Sequence, residues 1–194
     1  MKLFLIRHPQ PQVAKGSCYG VTDVAILPGW QQQGAQIKSW LAHHLQGSVS
    51  YQHSPLSRAA VLANYLNAQS VSDKRLQELN FGCWEGLLWQ DIDKASIDEW
   101  CDDLVGSAPH GGESLSELNH RLQSWWQSLD QSAWDNIVIT THSGVIKVLV
   151  SLLCDWPLQQ AHKINVGFCS ITELTISGDY VSLHRLGAGD WVTQ

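Results

Sequence analysis

Imidazole and guanidinium groups recur at three places where the pattern of the chain changes. Arg7-His8 ends a short apolar run, His53 is followed closely by Arg58, and His142 follows the run Ile137 to Thr141. If those runs are neighbouring strands, their ends bring two guanidinium groups and two or more imidazoles into one pocket. Such a pocket suits a phosphate dianion. Arg binds phosphate through a two-pronged fork and stays charged at any working pH. A neutral imidazole can attack phosphorus when its second ring nitrogen donates to a carbonyl and so fixes the tautomer. The chemistry these residue types permit is phosphoryl transfer, which needs an in-line nucleophile, charge stabilisation on the equatorial oxygens and an acid for the leaving group.

The elements that must position these residues follow from patterning. Residues 2–7 read as a strand covered on both faces. Residues 9–27 lack periodicity and hold Pro9, Pro11, Gly16 and Gly20, which predicts a long and therefore functional loop. A helix is expected from Pro28 to about residue 45. Val49 to His53 reads as a second strand. Ser54-Pro55 is expected to open the next helix, with Ser54 as its N-cap. Leu76 to Phe81 reads as extended, and residues 84–105 as short helical pieces. A helix is expected over about 113–130. Ile137 to Thr141 is the clearest strand, and Ser143-Gly144 opens a further helix to about Leu153. Alternation from Cys169 to Leu174 marks a hairpin in the last forty residues. The expected fold class is α/β: a three-layer α/β/α sandwich with a mostly parallel central sheet and a C-terminal hairpin at one edge. One domain is expected over 1–194, with the site beyond the carboxyl ends of the strands.

Composition narrows the partners. The formal charge is −6 with 15% charged residues and no basic run, so nucleic acid and membrane surfaces are disfavoured. The five cysteines are scattered without a paired spacing, which fits reduced thiols and a cytoplasmic location better than a disulfide framework. The apolar start breaks at Arg7 and is too short for a signal peptide. Nine histidines invite a metal reading, yet no HExxH or compact His/carboxylate spacing occurs, so neither metal nor cofactor is expected. The expected partner is a small phosphorylated metabolite, and a homodimer is open.

Five segments, in order, resemble the histidine phosphatase superfamily, the phosphoglycerate mutase-like branch. They are Leu5-Ile6-Arg7-His8, Ser54-Pro55-Leu56-Ser57-Arg58-Ala59, Glu78 through Gly86, Gly111-Gly112-Glu113-Ser114, and Thr140-Thr141-His142-Ser143-Gly144. The resemblance implies that His8 becomes phosphohistidine and that Arg7, Arg58 and His142 clamp the phosphate. It implies that Glu78 protonates the leaving alkoxide and then activates water. Glu85 and Glu113 compete for that last role; the family spacing selects Glu78, with Glu85 supporting the loop. The chain departs from the family at Pro9-Gln10-Pro11 and at Ala14, where an Asn is usual. Gly16-Ser17-Cys18-Tyr19-Gly20-Val21-Thr22-Asp23-Val24 resembles a loop of α-ribazole-5′-phosphate phosphatases of cobalamin assembly, so that ester is the expected substrate. A broad phosphatase or a phosphoglycerate mutase-type transferase is the alternative. Tyr19, Gly20, Trp84, Glu85, His110 and Ser143 are the candidates for the substrate side, with Trp84, Tyr19 and the loop near Trp89 to Trp100 expected to stack on the flat dimethylbenzimidazole base of that ester.

Overall fold

The computed structural model describes residues 1–189; residues 190–194, which the one-domain expectation includes, lie outside the described residues. Its centre is a six-stranded sheet in the order β3-β2-β4-β1-β5-β6. The strands are β1 (Lys2–Arg7), β2 (Val49–His53), β3 (Val71–Ser72), β4 (Asn136–Thr141), β5 (Ile171–Ser177) and β6 (Tyr180–Ala188). The first four run parallel to one another, and β5 and β6 add an antiparallel hairpin beside β1.

Period-two alternation along β1 builds both cores. Leu3 and Leu5 point into a cluster with Leu118, Leu122 and Trp125 of α4 (Leu115–Gln127) and with Val145 and Leu149 of α5 (Ser143–Leu153). Phe4 and Ile6 point the other way. They meet Ile37 and Trp40 of α1 (Gln31–His44) and Leu62 and Leu66 of α2 (Ser57–Leu66). All four β1 side chains are fully buried, and each contributes roughly 1.5–3 kcal/mol by leaving water. The sheet is therefore covered by helices on both faces, as expected for the sandwich.

Two expectations are corrected. The helix after β2 begins at Ser57, two positions later than the Ser-Pro pair suggests, and Ser54 does not cap it. Its first N–H is accepted instead by Asp23 Oδ1, at 2.8 Å, from the long loop after β1. Pro55 cannot donate and biases Ser54 toward extended backbone, so the helix waits until a distant carboxylate satisfies its end. The extended reading of Leu76 to Phe81 is corrected at its start: Leu76 closes a 3-10 turn over Lys74–Leu76 that Asp73 starts, and the chain leaves it in extended backbone at Gln77. The short pieces expected over 84–105 appear as a 3-10 turn at Trp89–Asp91 and as α3 (Lys94–Asp102), and a further 3-10 turn, Gly82–Trp84, precedes them. Ser114 and Glu117 form a reciprocal cap on α4.

Candidate active site

Strand register forces the meeting of the two histidines. Arg7 of β1 lies opposite Thr141 of β4, so His8 and His142, one step beyond, stand side by side at the carboxyl end of the sheet. The His8 N–H donates to Thr141 O at 2.9 Å, and the two rings are 5.0 Å apart. The next strand over contributes Ser54, whose N–H donates to Thr140 O at 3.1 Å.

Each ring is oriented by one bond. The Nδ1–H of His8 donates to the carbonyl of Pro9 at 2.6 Å, which leaves Nε2 with the lone pair. Pro9 can do this because only its carbonyl is needed. His142 Nε2 sits 2.7 Å from Ser54 Oγ, and that oxygen already accepts the Leu56 N–H at 3.3 Å. When the hydroxyl proton points to His142 Nε2, Nδ1 carries the ring hydrogen and is free to donate to an anion. Burial is the main reason both imidazoles are held neutral, well below the ordinary histidine range. For His8 the neighbouring Arg58 and Arg7 charges act in the same direction; for His142 the His8 ring and then Arg58 and Arg7 do so.

The guanidinium groups are held from behind. Arg58, fully buried, donates to the carbonyls of Gly20 and Thr22. Arg7 donates to Val166 O at 2.6 Å and lies 3.8 Å above the centre of the Phe168 ring. Burial lowers both arginines from their usual value, yet a guanidinium remains charged. Arg7 Nε, Arg58 Nε and His142 Nδ1 are buried without a hydrogen-bond partner among the described residues. Unpaired buried donors are costly, and three around one nucleophilic ring make a receptor for an anion with several oxygens.

Glu78 stands half-buried at the edge of this group. Its Oε2 accepts the Gly144 N–H and its Oε1 the Leu79 N–H, each at 3.1 Å. A Cβ at residue 144 would lie 2.4 Å from Glu78 Oε1, so the carboxylate occupies space that only glycine leaves open. Glu85 is differently placed. Burial alone would push its carboxyl up, but the Thr22 hydroxyl and the N–H groups of Val21, Thr22 and Phe81 together hold it below the usual range. It ties the loop after β1 to the 3-10 turn near Trp84. Glu113 is spent on Arg121, 2.7 Å away.

The expected substrate-side residues divide. Tyr19 is half-buried against Arg7 and Arg58, with its ring centre 5.4 Å from the Arg58 guanidinium. Ser143 is half-buried at the first position of α5. Gly20 acts through its carbonyl on Arg58, and a Cβ there would strike Leu79 O at 2.0 Å. Trp84 and His110 require correction. Trp84 is 4% exposed, wedged edge-on against Trp89, Trp100 and His110, and has no open face for stacking. His110 is buried in the same cluster and its Nδ1 accepts the Gly112 N–H. His53 bonds to Ser70 instead of joining the pair. Sequence reasoning missed the bond from Ser54 to His142, although Ser54 lies within a noted motif. It also missed Phe168, which lies in irregular backbone with no local pattern.

No group of three or more His, Cys, Asp or Glu side chains among the described residues is arranged to hold a metal ion. None of the described helices is long and apolar enough to cross a membrane.

Residues 3–189 match the histidine phosphatase superfamily, branch 1. The chain belongs to that superfamily. It is 27% identical over 188 residues to "Putative phosphoserine phosphatase 2" of Hydrogenobacter thermophilus, covering 94% of this chain and 93% of that protein. It is 28% identical over 166 residues, 81% of each chain, to the adenosylcobalamin/alpha-ribazole phosphatase of Salmonella typhimurium. The solved alpha-ribazole phosphatase from Shigella flexneri superposes with a TM-score of 0.85 at 24% identity, covering 97% of this chain and 96% of that one, which shows the shared fold.

Proposed function

We propose that the chain is a phosphomonoesterase that works through a phosphohistidine at His8. The observation that carries this reading is the pairing of a tautomer-fixed, neutral His8 with three unpartnered buried donors from Arg7, Arg58 and His142. His8 Nε2 attacks phosphorus in line as the ester P–O bond breaks. The donors neutralise charge on the equatorial oxygens, and Glu78 gives its proton to the departing alkoxide. In the second half, Glu78 takes a proton from water. The resulting oxygen attacks the phosphohistidine, the P–N bond breaks, and inorganic phosphate leaves with His8 neutral again. The family relationship supports the same chemistry. Acid quench during turnover of a radiolabelled phosphate ester tests it: an acid-labile, base-stable protein-bound phosphate is expected and should vanish in His8→Ala. Steady turnover without any protein-bound phosphate would overturn the reading.

For the substrate we propose α-ribazole 5′-phosphate. The similarity to the Salmonella relative supports it. The similarity to the Hydrogenobacter protein favours phosphoserine as the second reading. Comparison of kcat/KM on the two esters, with 3-phosphoglycerate included, separates them. A higher value on phosphoserine would replace the first reading, and isomerisation of 3-phosphoglycerate without phosphate release would replace both.

A further inference from the structure

Glu78 is carried by backbone that belongs to no helix or strand: beyond the turn at Lys74–Leu76, residues 77–81 pair with no strand. The carbonyl groups of such a stretch must find partners of another kind, and two side chains take four of them in succession. Arg121 of α4 donates from Nη1 to Arg75 O and Gln77 O, at 2.5 and 3.0 Å, and from Nη2 to Glu78 O at 3.4 Å. Thr141, the residue before His142, donates its hydroxyl to the remaining carbonyl, Leu76 O, at 2.7 Å.

Arg121 is itself fixed from the far side. Its Nε and Nη2 grip the two oxygens of Glu113 at 2.8 and 2.7 Å, fork on fork, with both side chains half-buried. A guanidinium has five N–H groups. Here two go to Glu113 and three to the carbonyls, so none is left for a substrate oxygen. Glu113 also holds the stretch through its own backbone, its N–H donating to Asn80 O at 2.8 Å. The preceding turn packs so closely that a Cβ at residue 112 would lie 2.1 Å from that same oxygen. On its outer side, then, the segment bearing Glu78 is held by Arg121 and Glu113; on its inner side, the carboxylate is held by the Gly144 N–H.

We propose that Arg121, oriented by Glu113, is the positioning residue of the proton donor: it fixes the backbone that carries Glu78 and touches neither the phosphate nor the alcohol. This role rests on the phosphatase reading above, with Glu78 as the donor. A proton donor acts only within hydrogen-bond reach, and displacing a catalytic group by about an ångström costs on the order of 10²-fold. Lysine keeps the charge but has three donors on one nitrogen, so it cannot span Glu113 and three carbonyls. Arg121→Met and Arg121→Lys should therefore each slow single-turnover phosphorylation of His8 by ribose 5-phosphate, which expels an alkoxide, by on the order of 10²-fold. Phosphorylation by p-nitrophenyl phosphate, whose leaving group needs little help from an acid, should fall less than about threefold, and inhibition by inorganic phosphate should stay within about twofold. In a Glu78→Gln background the same substitutions should cost less than about twofold. Equal losses on both esters, a loss that persists beside Glu78→Gln, weakened phosphate inhibition, or full activity in Arg121→Lys overturns the proposal. Glu113→Gln, which leaves Arg121 in place and removes the charge that orients it, should show the same pattern at about tenfold, and it carries the test if the Arg121 variants do not fold. Hydrogen exchange of the Gly144 amide reads the placement of Glu78 without activity, since that N–H donates to Oε2. Its protection should drop in Arg121→Met and Glu113→Gln while the β1 amides keep theirs. If wild-type protein forms no phosphoenzyme, the phosphatase reading fails by itself; a selective loss at Gly144 then upholds the positioning role, and unchanged protection there overturns it.

Discussion

Removing the Ser54 hydroxyl separates the orientation of His142 from its presence. In Ser54→Ala the bond to His142 Nε2 at 2.7 Å is lost and no other described group replaces it. The ring is fully buried, so the loss acts on both tautomers. With the hydroxyl present, the Nδ1–H form is favoured by about 1 kcal/mol, the usual net worth of one hydrogen bond. Without it, a substantial fraction of molecules presents an Nδ1 lone pair to the phosphate oxygens, where repulsion replaces a charge-assisted bond worth roughly 1.5–3 kcal/mol. Losing that preference takes the competent tautomer from about 85% to about half of the molecules, so phosphoenzyme formation should fall about twofold. Leaving a buried ring nitrogen unsatisfied should also lower unfolding free energy by about 1–3 kcal/mol. Rapid-quench phosphorylation of His8 in a single turnover, beside denaturant unfolding, gives both numbers. Ser54→Thr, which keeps the hydroxyl, should recover most of the phosphorylation rate. If Ser54→Ala phosphorylates at the wild-type rate while losing stability, the hydroxyl is packing only and the tautomer argument fails.

Four further outcomes follow from the same geometry. Gly144→Ala should slow esters with poor leaving groups by on the order of 10²-fold, the effect of displacing a catalytic group by about an ångström, because its Cβ would lie 2.4 Å from Glu78 Oε1; phosphorylation by esters with good leaving groups should fall much less. Glu78→Gln should show that same dependence on leaving group, while Glu85→Gln should instead loosen the loop after β1 and raise KM; the reverse pattern would transfer the proton-donor role to Glu85. His8 and His142 are held neutral by burial and nearby charge, so their folded values lie below the unfolded one. The unfolded chain then takes up more protons as pH falls, and stability should be complete above about pH 6.5 and decline progressively below it, as denaturant midpoints across pH will show. EDTA should leave turnover unchanged, and loss of activity restored by a divalent ion would refute the metal-free mechanism.

Much of this was legible in the chain, and the reason is local. Alternation through Lys2-Leu3-Phe4-Leu5-Ile6-Arg7 marks a strand whose faces feed two cores, and the histidines after β1 and β4 sit where those patterns stop. What the sequence hides is who satisfies whom. Ser54 followed by Pro reads as a helix cap, yet its hydroxyl is drawn to His142, and Asp23 caps the helix across 34 positions of chain. Trp84 reads as a stacking surface because an indole near an active-site motif is amphipathic; only the approach of Trp89, Trp100 and His110 closes its faces. Long-range partners of polar groups carry no periodicity, so no pattern in the chain announces them.

The loop that resembles the α-ribazole phosphatases has a physical task that bears on how its resemblance is weighed. Gly20 and Thr22 offer their carbonyls to Arg58. Asp23 takes the first N–H of the helix that carries Arg58, and the Ser57 hydroxyl beside it. Glu85 pins Val21 and Thr22 from the opposite side. Gly20 can be nothing larger, because a Cβ would collide with Leu79 O at 2.0 Å. Most of the fixed positions in this segment thus hold the Arg58 guanidinium in a place that is otherwise too costly for a charge. A motif constrained in this way reports how the phosphate is held, whatever alcohol the phosphate is attached to. Exchanging the loop motif should therefore change phosphoryl-transfer rates on all esters together.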